Sequence, residues 1–598
     1  MKTKLLALLI FNFSFLIYTC DGSAEIRFVS KTGSSVPPYT TWATASDSIQ
    51  KCINICNDGD TVIVANGVYK ETLAITKRIA LIGSSMDSTV IDGAGLNGIY
   101  STYLTIDVRA DCSIENFHLI GKSISNSLLL RANNFMAVIK NCETENSELV
   151  FVLFERSSVI SGVISHHFAD RYAIIRCIND SARPVIENSI IYKSIDGGYN
   201  YIIYLDYGGN PVIRNNIISI NLLPNAYSYG IYQNFMVNSL TIENNLIFGA
   251  KKEAVSTVRT IDTIRVINNI IKRSFKHDIG MWITYGNKTI IRNNVIADND
   301  IGLYIEDGYA NTDYNVYWNN TNNTYRYGRL GEHDIIADPM FVKDTIPFTG
   351  LADFHLQKYS PAIDAGDPAI LDVDGSRSDI GIYGGPLGEK YDYKDLAPKA
   401  PKGLTGSLDS SYITIKWKKN TEADFNYYKI FRDTAASFTP DSSKLVSAQS
   451  DTSYSHIVPH KVNKYFYKLT AVDSQGNESP ASEEIGIVIT SVENKEVTII
   501  QNYQLYQNYP NPFNPYTIIP FRLKERGYVK ISLYDIKGEL LGYLLNEVKE
   551  AGYHEVEFKT NNFLDGQLSS GIYLYRIEVI GAGGIPAFFD MKKMIFLK

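Results

Sequence analysis

The chain has 598 residues, too many for a single core, and its net charge of -7 with interspersed signs argues against a nucleic-acid partner. Its 6 cysteines show no metal spacing; with Cys20 in the leader, the other five read as buried thiols rather than a disulfide framework. Tyrosines number 41 against 4 tryptophans, which favours a surface that binds through aromatic side chains.

Met1-Lys-Thr-Lys4 followed by an apolar run over residues 5–18 has the form of a signal peptide, so residues 1–24 are expected to be removed after Ala24. Cys20 leaves a lipid-anchored alternative open, although Tyr18-Thr19 is a poor lipobox. No later run is long enough to span a membrane. Residues 42–55 read as an amphipathic helix, with Ile49, Cys52, Ile53 and Cys56 on one side. Such a helix would cover the open end of a repeat array.

A repeated phrase dominates the next three hundred residues. It reads Val185-Ile-Glu-Asn-Ser-Ile-Ile191, Val212-Ile-Arg-Asn-Asn-Ile-Ile218, Leu240-Thr-Ile-Glu-Asn-Asn-Leu-Ile247, Ile264-Arg-Val-Ile-Asn-Asn-Ile-Ile271 and Thr289-Ile-Ile-Arg-Asn-Asn-Val-Ile296. The first asparagines are Asn188, Asn215, Asn244, Asn268 and Asn293, at intervals of 27, 29, 24 and 25 residues. Asn116, Asn141 and Asn315 sit in similar phrases. The flanks are β-branched runs of strand length, and asparagine tolerates the left-handed backbone of a sharp corner. This period predicts a solenoid; antiparallel hairpins would repeat nearer every 8–12 residues. Stacked about 4.8 Å apart, the five asparagines are expected to bond one to the next as an amide ladder.

These phrases resemble the right-handed parallel β-helix family, in which an asparagine ladder marks one corner between sheets. Gly59-Asp-Thr-Val-Ile-Val64, Gly67-Val-Tyr-Lys-Glu71 and Leu81-Ile-Gly83 resemble the first turns of pectate-lyase-like and pectin-esterase-like members. The resemblance runs over roughly residues 26–320 and is specific for fold, weak for activity. Residues 25–392 are therefore assigned to a β-helix, with a closing segment at about 330–390.

Counting back 11 or 12 residues from each asparagine gives Arg176, Tyr204, Tyr232, Ser256, Trp282 and Tyr304. Strand alternation sends Ile203, Ile231, Val255, Met281 and Leu303 inward and this column outward. Asp206, Asn234, Thr284 and Glu306 follow two residues later, on the same face. In the family this sheet carries the polysaccharide groove, so Tyr204, Tyr232, Asn234, Trp282 and Tyr304 are expected to bind glycan. A hydrolase needs two carboxylates about 5–9.5 Å apart. Asp206 and Glu306 are each candidates that need a further partner, since four turns separate them. A lyase needs a base and a cation to neutralise a sugar carboxylate. Arg176 with His166 and His167, or His277 beside Trp282, are the candidates. Family signatures do not settle activity: Asn311-Thr-Asp313 matches only the opening of the polygalacturonase pattern, and the pectin-esterase Gln-Asp-Thr is absent. A polysaccharide-active enzyme and a non-catalytic surface adhesin both remain open.

Within the closing segment, Asp364, Asp367, Asp372 and Asp374 are a candidate calcium site, against their ordinary use as turn residues. Residues 393–402 are a proline-containing linker. Ile413-Thr-Ile-Lys-Trp417, Tyr428-Lys-Ile-Phe-Arg432 and Tyr465-Phe-Tyr-Lys-Leu-Thr-Ala471 resemble a fibronectin type III domain over residues 403–490. Leu505-Tyr-Gln-Asn-Tyr-Pro-Asn-Pro-Phe-Asn-Pro515, Leu533-Tyr-Asp-Ile-Lys-Gly538 and Ser570-Gly-Ile-Tyr-Leu-Tyr-Arg576 resemble the type A sorting domain of type IX secretion, over residues 491–598. That resemblance implies the type IX secretion machinery as partner and a secreted or cell-surface location. The expected fold class is all-β: a β-helix, then two small β-sandwiches, in a monomer.

Overall fold

In the computed structural model, the described residues are 24–96, 103–122, 127–145, 149–154, 157–167, 172–178, 183–195, 199–206, 209–222, 227–235, 237–258, 260–272, 279–284, 288–344, 352–409, 412–457, 464–488, 498–500, 503–550, 552–560, 568–581 and 586–597. The expected signal peptide lies almost wholly outside them. No helix among them is long and apolar enough to cross a membrane. Two compact units divide between Lys394 and Asp395.

The first unit is a parallel β-helix with three sheets. An entry sheet of twelve strands runs from Ile26–Val29 to Ala310–Asp313 and leads into the asparagine corner. An exit sheet of twelve strands, from Gly67–Tyr69 to Ile335–Ile336, leaves it. An aromatic sheet of eleven strands runs from Leu73–Ile75 to Asn322–Arg326. Each turn sends aliphatics inward from all three sheets. Ile213, Ile218 and Ile231, for example, are fully buried in one continuous core. The expected inward set, Ile203, Ile231, Val255, Met281 and Leu303, is also fully buried. Cys52, Cys56, Cys112, Cys142 and Cys177 are buried free thiols.

The N-terminal helix is shorter than its sequence pattern suggests, Ile49–Ile55. Ser48 caps it, and the Glu71 carboxylate accepts from the N–H groups of Ile49 and Gln50, so the helix cannot begin earlier. Its buried side, Ile49, Cys52 and Ile53, joins the solenoid core as expected.

The corner asparagines take the left-handed backbone: φ is 52° at Asn188, 54° at Asn215, 51° at Asn244, 55° at Asn268 and 56° at Asn293. The amide ladder, however, runs one residue later. Asn216 Nδ2 donates to Asn245 Oδ1 at 2.9 Å, Asn245 to Asn269, Asn269 to Asn294 and Asn294 to Asn315, each at 3.0 Å, and Asn315 to Asp334 at 3.1 Å. A residue with positive φ turns the chain so that its successor points inward. The second asparagine therefore carries the buried ladder. At the last corner Tyr314 takes the left-handed position, and Asn315 is a ladder member.

The first asparagines have another task at three turns. Asn244 Nδ2 donates to the carbonyls of Ile382 and Gly384, Asn268 Nδ2 to those of Asp379 and Gly381, and Asn293 Oδ1 accepts from the N–H of Asp367. The closing segment thus lies along the corner edge. Its aspartates, the candidate calcium ligands, make turn and docking contacts. Asp367 pairs with Arg292 at 2.7 Å; Asp372 accepts from the N–H groups of Asp379 and Gly385; Asp374 accepts from Ser376; and Asp364 donates its own N–H to Asp379. These acids do not converge on one point. Among the described residues, the three acids whose ligand atoms lie within 4.8 Å of one another are Asp395, Asp424 and Asp473.

The second unit holds two antiparallel sandwiches. In the first, a three-stranded sheet, Thr405–Asp409, Tyr412–Lys416 and Ser453–Ile457, packs with a five-stranded one. Trp417 meets Tyr428 edge-on at 5.3 Å in their shared core. In the second, the Tyr575 hydroxyl donates to the carbonyl of Tyr506 and accepts from the N–H of Asn508, tying the Asn-Pro-rich entry to the core.

Asn269→Ala should cost about 3 kcal/mol in denaturant unfolding, because it orphans buried partners above and below. Asn188→Gly, at a partly exposed left-handed position, should stay within about 0.5 kcal/mol. A second expectation concerns pH. Burial outweighs the hydrogen bonds from Asp364 and Tyr393 and pushes the Asp379 carboxyl up from 3.8 to about 6. A raised acid contributes most stability below its unfolded value and loses it as pH rises through about 6. Asp379→Asn should therefore flatten the fall in thermal midpoint between about pH 4 and about pH 6.

Candidate functional site

The aromatic sheet brings the expected column into one line. Backbone pairing joins Arg176 to Tyr204, Tyr204 to Tyr232, Tyr232 to Ser256, Ser256 to Trp282 and Trp282 to Tyr304, and then continues to Tyr325. The rings point outward and are partly exposed, with Tyr325 51% exposed at the end. Ring centroids are 5.6 Å apart for Tyr204 and Tyr232, 4.8 Å for Trp282 and Tyr304, and 5.5 Å for Tyr304 and Tyr325. Burial, aided by Asp206, pushes the Tyr204 phenol up, and burial does the same at Tyr232, so both stay protonated donors near neutral pH.

A second outward column, Tyr201 and Tyr229, escaped the sequence reading. Tyr201 lies 4.9 Å from Tyr229 and 5.0 Å from Tyr204. The signal was there: Gly230, Gly280 and Gly302 recur between the two columns. A Cβ on Gly280 would come within 2.7 Å of the Gly302 carbonyl oxygen. Tyr325 escaped because the last ladder member is Asp334, not an asparagine.

Of the candidate catalytic residues, Arg176 and Asp206 meet, and Glu306 lies four strands away. Arg176 Nη2 meets Asp206 Oδ2 at 2.9 Å, and its guanidinium lies 5.4 Å from the Tyr204 ring. Asp206 is 6% exposed. This ion pair neutralises the cation a lyase would need, and it leaves Arg176 Nε and Asp206 Oδ1 without hydrogen-bond partners among the described residues. Glu306 accepts from Trp282 Nε1 and Thr284 Oγ1, both at 3.2 Å, so it orients the tryptophan. Four strand steps separate Asp206 from Glu306, about 19 Å at ordinary spacing, well beyond a hydrolase pair. Asn234 accepts from the Tyr232 hydroxyl at 3.4 Å at the edge of the row. His166 and His167 fall on the exit-sheet strand Ile164–His167, not on a loop beside the aromatic sheet. His277 lies outside the described residues.

Charge divides the sheet along its length. Towards the N-terminus, Asp107 is buried against Arg109 at 2.9 Å and Arg131 at 3.2 Å. Towards the C-terminus, rings dominate. Between them sits Glu253, 2% exposed, which the sequence reading did not single out. Its carboxyl is pushed up by burial against the opposing pull of Ser256 and Lys252.

The fold and this face define a parallel β-helix protein with an outward aromatic row. No protein-family model matches the chain, and no curated protein does. Pectin methylesterase PemA from Erwinia chrysanthemi is a solved structure similar to part of it, at 15% identity over 38% of this chain and 80% of that one, with a TM-score of 0.29. The Clostridium perfringens spore cortex lytic enzyme SleM matches at 18% identity over 18% of this chain, TM-score 0.14. The match spans 32% of that enzyme's length. The central fibronectin-III array of RIM-binding protein matches at 9% identity over 33% of this chain and 70% of that one, TM-score 0.19. Scores this low mark similarity of parts, and the fold assignment rests on the strand pairing.

Arg176→Met should leave Asp206 buried without its cation. The expected loss is about 2–3 kcal/mol, below that of a fully buried pair because Arg176 keeps a third of its exposure. Arg176→Met combined with Asp206→Asn should recover most of it in the same unfolding assay. A double variant as unstable as the single one would contradict this account.

Proposed function

We propose that the β-helix binds an extended acidic polysaccharide along its aromatic sheet and acts as a non-catalytic surface protein. The supporting observation is the shared register of Tyr204, Tyr232, Trp282, Tyr304 and Tyr325 on one outer face. Aromatic rings offer apolar surface to the C–H faces of sugars, while Asn234, Thr284 and Glu306 at the edge offer hydrogen bonds to hydroxyls. Two acids four strands apart and an arginine already held by Asp206 favour binding over cleavage.

The C-terminal motifs around Asn508-Tyr-Pro-Asn-Pro-Phe-Asn-Pro515 and Ser570-Gly-Ile-Tyr573 support the reading of residues 491–598 as a type IX sorting domain. On that reading the signal peptide and the type IX machinery export the chain to the outer surface. The fibronectin-like sandwich then serves as a spacer between the β-helix and the sorting domain.

Affinity electrophoresis in gels containing polygalacturonate, alginate or neutral xylan tests the binding reading. Wild-type protein should be retarded by the acidic polymers, and Trp282→Ala should weaken that binding about tenfold, the size of one well-placed aromatic contact. Equal retardation of wild type and variant, or none in any gel, contradicts it. Release of unsaturated or reducing sugar from these polymers would show that the chain is an enzyme instead.

A further inference from the structure

The aromatic row is broken once. Ser256 holds the position between Tyr232 and Trp282. Ring contacts therefore form two groups: Tyr201, Tyr204, Tyr229 and Tyr232 on one side, and Trp282, Tyr304 and Tyr325 on the other. Within each group neighbouring ring centroids lie 4.8–5.6 Å apart, in stacked, tilted or edge-on pairs. At the break, Tyr232 and Trp282 flank a position that carries no ring.

The gap has a definite size. Tyr232 and Trp282 stand two strand steps apart, about 9.6 Å. A ring held between them needs about 3.5–4 Å of clearance on each side. One six-membered ring fits, and two do not. Ser256, buried at the bottom, is the floor. Lys252 supplies the charge: its Nζ lies 5.9 Å from the Trp282 ring centre, 5.4 Å from that of Tyr229 and 2.9 Å from the Tyr229 hydroxyl. The lysine side chain stays 38% exposed, and Glu253 approaches no closer than 3.7 Å. Burial pushes the Glu253 carboxyl up, against the pull of Ser256 and Lys252.

We propose that this gap is a subsite for one carboxylate-bearing sugar ring, held between Tyr232 and Trp282 with its carboxylate on the Lys252 ammonium. The inference rests on the glycan-binding reading above and adds to it the class of unit recognised, a uronate. The row on either side holds the flanking units. The break sets which unit of the polymer is read for charge.

Calorimetry on the full chain tests this with a galacturonate hexasaccharide, a guluronate hexasaccharide and the methyl-esterified galacturonate. Wild-type protein should bind a charged probe more tightly than the ester. Lys252→Met should weaken the charged probe about tenfold, as loss of one charge-assisted hydrogen bond does, and leave the ester unchanged. Ser256→Tyr places a ring in line with its neighbours, closes the gap and should abolish binding of both; a thermal midpoint no lower than wild type shows that it folds. If Lys252→Met weakens both probes equally or neither, the subsite is wrong. In that event a weakened Trp282→Ala variant would still uphold the aromatic row. Wild-type protein that binds neither charged probe overturns the subsite and the reading beneath it together.

Discussion

A buried column of amides sets the register of this molecule. Asn216, Asn245, Asn269, Asn294 and Asn315 are almost fully buried where the entry sheet turns into the exit sheet. Each accepts from the backbone N–H of the corner one turn earlier; Asn245 Oδ1, for example, accepts from the Asn216 N–H at 3.1 Å. Asn245, Asn269, Asn294 and Asn315 also donate to carbonyls of their own turn and the one before, as Asn269 does to Ile267 and Ile242. A polar group in this desolvated interior is expensive when unpaired. Sliding one turn against the next by a single residue would break several such bonds and turn aliphatic side chains out of the core. Turns of unequal length therefore stack in register.

That register is what gives the outer face its order. Tyr204, Tyr232, Trp282, Tyr304 and Tyr325 come from five turns that differ in length, yet they share one line. The same stacking limits what the row can do. A continuous ladder would be mainly a stabilising device. The small residue at position 256 turns part of that device into a place where two rings and one ammonium meet. Farther towards the N-terminus the sheet carries closed ion pairs, Asp107 with Arg109 and Arg131, and Asp206 with Arg176, which hold strands together and leave little charge to offer.

Much of this was legible in the sequence, because a solenoid writes its geometry into its period. The recurrence of asparagine gave the corner and its left-handed backbone, and alternation told inward from outward on the aromatic sheet. Other features depend on more than period. Which of two adjacent asparagines carries the ladder is decided by the positive φ of the first, which two identical letters cannot show. The acids of the closing segment look like cation ligands when counted, but Asp367, Asp372 and Asp374 are used by nearby N–H groups, a hydroxyl or an arginine. His166 reads as a candidate partner of Arg176, yet parallel pairing with Glu145 and Tyr192 places it in the exit sheet. Glu253 and Lys252 stand out only once burial and ring contacts are known.

Hydroxyl-radical footprinting of the full chain, with and without an acidic polysaccharide such as polygalacturonate or alginate, tests the central claim most directly, since it reads the solvent access of individual rings. The account predicts protection at Tyr204, Tyr232, Trp282, Tyr304 and Tyr325. It predicts no change at Tyr309 and Tyr412, which are exposed but lie off the row. Protection of Tyr309 or Tyr412 while the row remains as reactive as before would contradict it.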